Sequence, residues 1–327
     1  MVIWYLFALV VGLLYVIAWL HPLHRPRDVR VLWSKGVALR CDHHWSDDYW
    51  IRQTEERVEP EFFARTIQQC EGLVYVRLGT RDRRHLDIEA FAQTIDKLKK
   101  PILLLTTDGD SSVPGDISTE AVRAILEHSL VLAWYTQNWD GTPHPKLKPF
   151  PIGLDFHTPR IRLLPTGLPT EFCLRSMARF APPPAERKIK IFCDFHLTPN
   201  RAHKAERLRF QEQLHGCPQI RFLPRKVHQL ALWRHYCEHA FVASTHGNGL
   251  DCHRTWEALL LGCIVVTKRS SLDSLFRGLP VVLVDDWSEC EEPRFLEKWL
   301  DRYKTSHYDV WEQLDAERWL RRIRSER

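Results

Sequence analysis

The stretch STHGNGLDCHRTWEALLLGCIVVT, residues 244–267, decides the fold prediction. An apolar strand ends at Ser244, and Gly247 and Gly249 then allow a tight turn and a close approach of the backbone to a ligand. Asp251 is a favourable N-cap for the helix that follows. A strand, a glycine turn and a helix N-terminus together present free backbone N–H groups and the positive end of the helix dipole. The stretch therefore predicts an α/β unit that binds phosphate.

Polar side chains of this unit are candidate ligands for the rest of a nucleotide. Asn248 lies between the two glycines, and Arg254, one turn into the helix, has the fork geometry that pairs with a diphosphate. Glu257 follows three residues later and is a candidate acceptor for ribose hydroxyls. An Arg–Glu pair at this spacing is also a common surface ion pair, and a bare G-x-G turn is common between a strand and a helix. The residues alone therefore leave a nucleotide site and a structural turn both open.

Short apolar runs alternate with amphipathic stretches on both sides of this unit. The runs that predict buried strands are 29–33, 72–78, 101–107 and 130–135 in the first half and 188–195, 219–223, 240–245, 262–267 and 280–286 in the second. This alternation predicts parallel sheets with helices on both faces. Prolines between 165 and 184 place a boundary near residue 180. We therefore predict an α/β fold with two Rossmann-like domains, 29–180 and 185–300, and a C-terminal helix over 301–327.

The amino terminus differs from the rest of the chain. Residues 2–20, VIWYLFALVVGLLYVIAWL, carry no charge and as a helix span about 28 Å, close to the ~30 Å hydrocarbon core of a bilayer. No small-x-small cleavage site follows, so we predict an uncleaved transmembrane anchor over 1–22 and a single-pass membrane protein. Arg25, Arg27 and Arg30 place the body in the cytoplasm by the positive-inside rule. Because folded domains are also translocated against that rule, the Golgi-luminal side stays open.

Composition excludes several classes of protein. The net charge is 46 − 41 = +5 and is spread along the chain, which gives no indication of nucleic-acid binding. The nine cysteines form no C-x-x-C pair, so we expect reduced, mostly buried thiols rather than a disulfide framework or a zinc site. The fraction of apolar residues, 44%, is that of a folded globular protein rather than a disordered one.

Residues 244–287 resemble the donor-binding part of exostosin-family glycosyltransferases. The family pattern, approximately G-x-G-x-D-x-x-R-x-x-E-A-L-x-x-G, is matched here at Gly247, Gly249, Asp251, Arg254, Glu257-Ala258-Leu259 and Gly262. Further similarity lies at 137–158, 192–210 and 279–287, so that most of 100–290 is covered, while 30–100 match only in layout. Two departures are Thr245-His246, where Pro or Arg often stands, and Ile264-Val265-Val266, where a proline is usual.

This resemblance implies a GT-B fold and an inverting glycosyltransferase. Such an enzyme transfers a hexose or pentose from a UDP- or GDP-linked sugar to a glycan or glycoconjugate acceptor, and the nucleotide-sugar is a substrate rather than a cofactor. The second domain would bind the donor and the first would admit the acceptor. The donor-binding residues implied are Gly247, Asn248, Gly249, Asp251, Arg254 and Glu257, with Arg207 assisting. No metal and no nucleic acid are implied.

An inverting transferase also needs a base that takes the proton of the acceptor hydroxyl. The loop TTDGDSSVP, residues 106–114, ends an apolar strand, which is where ligand sites of α/β proteins lie. Asp110 and Asp108 are therefore the first candidates, and Asp155 and His157 the second. Asp-Gly-Asp is also a common turn sequence, so a purely structural role stays open.

Three alternatives remain at this stage. Asp108 and Asp110 have the D-x-D spacing of a metal-dependent GT-A transferase, in which two carboxylates hold a divalent ion. In the second alternative, the chain is a non-catalytic, membrane-tethered relative of these enzymes that binds glycans. A dehydrogenase is disfavoured because no G-x-G-x-x-G follows the first strand.

Overall fold

The structure, a computed structural model, describes residues 29–51, 58–79, 86–157, 168–195, 204–304 and 309–326. The predicted anchor over 1–22 lies outside the described residues. Within the described part of the chain, no helix combines the length and the apolar character needed to cross a membrane.

Four parallel strands form the sheet of the first half, in the order β1-β2-β3-β4. Their bounds are Gly72–Gly79, Ile102–Gly109, Val131–Thr136 and Leu147–Pro149. The helices of this half are α1 (Asp47–Ile51), α2 (Pro60–Ala64), α3 (Asp87–Ala92), α4 (Thr119–Glu127) and α5 (Leu168–Phe180). All eight residues of β1 are buried, as in a strand covered on both faces.

Five parallel strands form the sheet of the second half, in the order β6-β5-β7-β8-β9. Their bounds in chain order, β5 to β9, are Lys188–Cys193, Ile220–Phe222, His239–Ala243, Ile264–Lys268 and Val281–Val284. The helices are α6 (Lys204–Leu214), α7 (Gln229–Glu238) and α8 (His253–Leu260). The predicted α/β class with parallel sheets is confirmed.

The winding direction of the second sheet reverses at β5. The chain passes from β5 outward to β6, then returns to the other side of β5 to form β7, β8 and β9. Such a reversal opens a crevice at the carboxyl ends of the two strands between which it occurs, here β5 and β7. The connections after Cys193 and Ala243 therefore frame the point at which ligands of this architecture bind.

The predicted strand over 29–33 is wrong. Its four apolar residues are buried, but only isolated bridges are formed, by Val31 to Asp315 and by Trp33 to Gly153 and Leu154. The apolar pattern correctly predicted that these side chains are buried, because burial depends on side-chain type. It did not give the partners, which come from a loop and from the C-terminal region rather than from a sheet.

The C-terminal region is not one continuous helix. It consists of α9 (Phe295–Tyr303), α10 (Val310–Gln313) and α11 (Ala316–Arg324). The Asp315 side chain accepts a hydrogen bond from the Arg318 amide at 2.9 Å and thereby caps a new helix. The Leu32 amide donates to the Leu314 carbonyl at 2.7 Å, so this region packs on the first half of the molecule.

One apolar core contains residues of both halves, such as Leu103 and Trp256. Helix α5 ends at Phe180 and β5 begins at Lys188, so the predicted boundary falls between the two sheets. The division into separate domains stays a prediction. All nine cysteines are free thiols, and five of them are buried.

Candidate functional site

A cavity of about 300 Å³ lies where the carboxyl ends of strands from both sheets meet. Ten of the eleven predicted site residues line it, and the exception is Asp108. The ten are Asp110, Asp155, His157, Arg207, Gly247, Asn248, Gly249, Asp251, Arg254 and Glu257. Two larger cavities, of about 560 and 550 Å³, lie around Pro182 and Arg187. The smaller cavity is the candidate site because it coincides with the switch point of the second sheet.

Asp108 is part of the sheet and does not reach the cavity. Strand β2 continues to Gly109, so Asp108 is buried, and its carboxylate forms an ion pair with Lys35 at 3.1 Å. Its amide donates to the Gln137 side chain at 3.1 Å. The predicted loop therefore begins only after Gly109. Of the two aspartates of the D-x-D alternative, Asp110 alone lines this cavity.

Asp110 lies on the wall contributed by the first half. Its Oδ2 accepts a hydrogen bond of 3.1 Å from the side-chain amide of Asn248, which belongs to the glycine turn of the second half. The contact connects the candidate base with the candidate donor loop across the cleft.

Arg254 is held by a residue that the sequence analysis did not identify. Its Nε donates to the Asp194 carboxylate, and the other Asp194 oxygen accepts from the Tyr236 hydroxyl at 2.9 Å. Burial is the largest single influence and opposes the charge of Arg254, but Asp194, Tyr236 and Cys252 together raise the pKa of the guanidinium above its ordinary value. Asp194 follows β5 directly, so the rule that sites lie at the carboxyl ends of strands is the signal that could have identified it.

Glu257 is buried within the second half. One of its oxygens, Oε2, accepts from Gln229 Nε2 at 2.9 Å and from Trp233 Nε1 at 3.0 Å. Both donors lie on α7. Glu257 therefore joins α8 to α7 in addition to lining the cavity.

Asp251 does not act as the predicted N-cap. Cys252 occupies the N-cap position of α8, and no side chain caps it. The Asp251 carboxylate instead accepts from the amides of Ile152 and Cys252 and from the indole of Trp256, at 2.7, 2.8 and 2.9 Å. Burial is the largest influence on this carboxyl and raises its pKa to about 6. Because Ile152 belongs to the first half, Asp251 joins the two halves rather than facing a ligand alone.

Arg207 comes to the cavity from α6. It is buried, and its Nε donates to the His246 carbonyl at 2.9 Å. The guanidinium also lies 5.8 Å from the ring centre of Phe195. Arg207 therefore places a second positive charge beside the glycine turn. A Cβ built on Gly247 would lie 3.7 Å from Arg207 Nη2.

Asp155 and His157 line the cavity from the loop after β4, and His253 lines it from the start of α8. Asp155 Oδ1 lies 3.1 Å from His157 Nδ1. The Nδ1 of His253 donates to the Gly153 carbonyl at 2.8 Å. His253 was not among the predicted site residues, because its position at the first turn of α8 has no special sequence signature.

Carboxylates outnumber arginines around the cavity. The five carboxyl groups are those of Asp110, Asp155, Asp194, Asp251 and Glu257, and the two guanidinium groups are those of Arg207 and Arg254. A ligand with negative charge therefore binds only if the arginines or an added cation offset the surrounding carboxylates.

No family profile matches the sequence, and no curated protein matches it. Solved structures with a similar arrangement include an α,α-trehalose-phosphate synthase (UDP-forming) from Burkholderia vietnamiensis, with 13% identity, a TM-score of 0.39 and coverage of 82% of this chain and 72% of that one. The apo structure of OtsA has 13% identity, a TM-score of 0.46 and coverage of 82% and 75%. An α-glucosyltransferase in complex with UDP-glucose and DNA has 11% identity, a TM-score of 0.34 and coverage of 82% and 77%. With identities and TM-scores this low, the matches establish neither a family nor an activity for this chain.

Proposed function

We propose that the chain is a membrane-anchored inverting glycosyltransferase of the exostosin type, which moves a hexose or pentose from a nucleotide-sugar to a glycan or glycoconjugate acceptor. One observation carries the proposal. Two arginines and a glycine turn converge on the crevice at the switch point of a parallel sheet. Ligands of such folds bind at this point, and guanidinium groups and helix N-termini bind diphosphates.

The two arginines are held in the same way. Each is bonded through Nε to a protein acceptor, Arg254 to the Asp194 carboxylate and Arg207 to the His246 carbonyl. A guanidinium fixed at Nε has its Nη groups oriented in advance, which favours bidentate binding of phosphate oxygens. We assign both residues to the donor diphosphate, whose negative charge they stabilise as it departs.

Inversion requires the acceptor oxygen to attack the anomeric carbon on the face opposite to the diphosphate. The new C–O bond forms as the bond to the diphosphate oxygen breaks, and the acceptor hydroxyl gives its proton to a base. We assign this base role to Asp110, which lies on the cavity wall of the first half, opposite the donor loop. Asp155, together with His157, is the second assignment. The donor itself is a substrate, and no cofactor is part of the proposal.

Membrane attachment by residues 1–22 is supported by the surface next to the start of the described chain. The Arg30 amide donates to Glu171 at 3.0 Å, so the chain emerges beside α5. The outer face of that helix exposes Phe172 and Phe180, at 71% and 82%. Exposed aromatic side chains on a surface helix are typical of a membrane interface. The side of the membrane, cytoplasmic or Golgi-luminal, is not part of the proposal.

The excess of carboxylates favours a second candidate. Carboxylates accept hydrogen bonds from sugar hydroxyls, whereas they repel a diphosphate. A membrane-tethered protein that binds a glycan in this cavity without catalysis is therefore the competing function.

Ligand-dependent thermal stabilisation of the full chain in detergent distinguishes the two candidates. A ligand at a hundred times its Kd stabilises a protein by about 2.7 kcal/mol. We expect one nucleotide among UDP, GDP and their sugars to raise the Tm of the wild type. Arg254→Ala should lose this rise, while Arg234→Ala, which removes an exposed arginine of α7, should keep it. Stabilisation by oligosaccharides alone would support the second candidate, and stabilisation by neither ligand would overturn both.

A further inference from the structure

We infer that Asp155, His157 and His253 form a binding site for one divalent transition-metal ion. Among the described residues, these three offer ligand atoms that all lie within 4.8 Å of one another. The first two come from the loop after β4 and the third from α8, so the ion would connect the two halves of the molecule. This inference does not rest on the proposed sugar transfer, because ion binding is measured without a donor.

The distances between these three side chains are close to those around a bound ion, so the ligand atoms need to move together only slightly to bind one. Two neighbouring ligand atoms on an ion with bonds of about 2.1 Å lie roughly 3.0 to 3.4 Å apart. Asp155 Oδ1 and His157 Nδ1 are separated by 3.1 Å. The ring centres of His157 and His253 are 5.8 Å apart. Two imidazoles on one ion have ring centres roughly 5 to 6 Å apart, by the same bond length.

The hydrogen bonding of His253 fixes its tautomer. Its Nδ1 donates to the Gly153 carbonyl at 2.8 Å, so in the neutral imidazole the proton is on Nδ1 and the lone pair is on Nε2. An imidazole oriented by a backbone carbonyl in this way is the usual arrangement of a metal-binding histidine. We therefore assign His253 Nε2, His157 Nδ1 and Asp155 Oδ1 as the ligands.

The charge of the cavity favours a cation there. Five carboxylates and two arginines line it, and a divalent ion would reduce the excess of negative charge. Two imidazoles and one carboxylate are ligands typical of Zn²⁺, Fe²⁺ or Co²⁺ rather than of Ca²⁺ or Mg²⁺, which prefer oxygen.

Zn²⁺ binding to the full chain in detergent, without nucleotide, tests the site. We expect about one equivalent of Zn²⁺ by elemental analysis after gel filtration, and a lower Tm after EDTA treatment. His253→Asn and His157→Asn should each reduce the bound Zn²⁺ at least tenfold. His215→Asn, at an exposed histidine after α6, should leave it unchanged.

Co²⁺ substitution adds a readout that a purely structural role would not produce. Co²⁺ held by the three protein ligands at a low coordination number gives much stronger visible d–d absorption than the hydrated ion, and we expect this absorption in the wild type and not in His157→Asn, which lacks one ligand. If His253→Asn does not fold, His157→Asn, at a partly exposed position, decides alone. Wild-type protein without stoichiometric Zn²⁺, or variants that bind as much as the wild type, would overturn the inference. Loss of nucleotide binding with Zn²⁺ binding intact would overturn only the proposed function.

Discussion

Asp108 and Asp110 are separated only by Gly109 but have different surroundings, and this difference gives a matched pair of variants. Asp110→Asn removes the proposed base and should lower kcat by about 10²- to 10⁴-fold with donor affinity retained. Asp108→Asn removes the carboxylate charge that lies 3.1 Å from the buried Lys35 ammonium group, and should lower the free energy of unfolding by about 3 kcal/mol. The measurements are single-turnover rates at saturating donor and urea unfolding of both variants.

Equal stability losses with unchanged turnover in both variants would contradict the assignment of Asp110. If Asp155→Asn lowers turnover without loss of bound Zn²⁺ and Asp110→Asn does not lower turnover, the base lies on the loop after β4. A stable Asp108→Asn variant would show that the Lys35 ion pair contributes little to folding.

Residue types and spacing predicted which side chains could line a site, but not how each of them is used. Asp251 and Glu257 were expected to face a ligand or cap a helix, and both accept several hydrogen bonds from the protein. Asp194 was not identified, although it forms the ion pair of Arg254. Such pairings depend on which strand ends become neighbours, and one segment of sequence carries no information about that.

At the scale of elements, the turn between β7 and α8 meets the end of β3 without room for a side chain. A Cβ on Gly249 would lie 2.5 Å from Asn138 Nδ2 and 2.7 Å from its Oδ1. Asn138 is itself fixed, since it donates to the Gly109 carbonyl at 3.1 Å and accepts from the Asp251 amide at 2.9 Å. The glycine is therefore required by the close approach of the two halves.

Gly249→Ala should destabilise the protein by about 1 to 3 kcal/mol, the usual effect of an overpacked contact. Asn138→Ala should also destabilise it, because the Asp251 amide loses its acceptor. The double variant should lose less unfolding free energy than the two single variants together, since the clash disappears when the Asn138 side-chain amide is removed. Additive losses of unfolding free energy in this double-mutant cycle would contradict the proposed contact.

The apolar runs in the sequence predicted the strands correctly where the run itself forms a strand of a sheet. The apolar runs at 72–78, 101–107 and 130–135 became β1, β2 and β3, since a buried parallel strand is apolar throughout. The run at 29–33 is equally apolar but pairs with a loop and the C-terminal region. Apolarity indicates burial in both cases and does not distinguish a sheet strand from a buried connection.

At the scale of the whole molecule, the C-terminal region packs against the start of the described residues, where Val31 forms a bridge with Asp315. The C-terminal helix α11 packs on the first half, where the Trp319 ring lies 5.5 Å from that of Phe150. Contacts between residues this far apart in the chain leave no trace in a local pattern, so the predicted continuous helix could not reveal them. The start of the described chain also contacts α5, because the Arg30 amide donates a hydrogen bond to Glu171.

This arrangement sets the distance between α5 and the predicted anchor. Eight residues, 21–28, separate the apolar segment from Val29 and reach at most about 29 Å when fully extended. If the anchor spans the bilayer, the face that exposes Phe172 and Phe180 lies within reach of the membrane surface. The exposed Arg179 between them would meet lipid phosphates.

Photocrosslinking to lipid tests this orientation in native membranes. We expect p-benzoylphenylalanine at position 172 or 180 of the full chain to give lipid adducts on irradiation, detected by mass spectrometry. The same residue at position 132, where Leu132 is 40% exposed on β3, is the matched control and should give none. Adducts at all three positions would indicate non-specific labelling, and their absence from 172 and 180 would contradict the membrane contact. Because the readout needs neither donor nor acceptor, it holds whether or not the chain transfers a sugar.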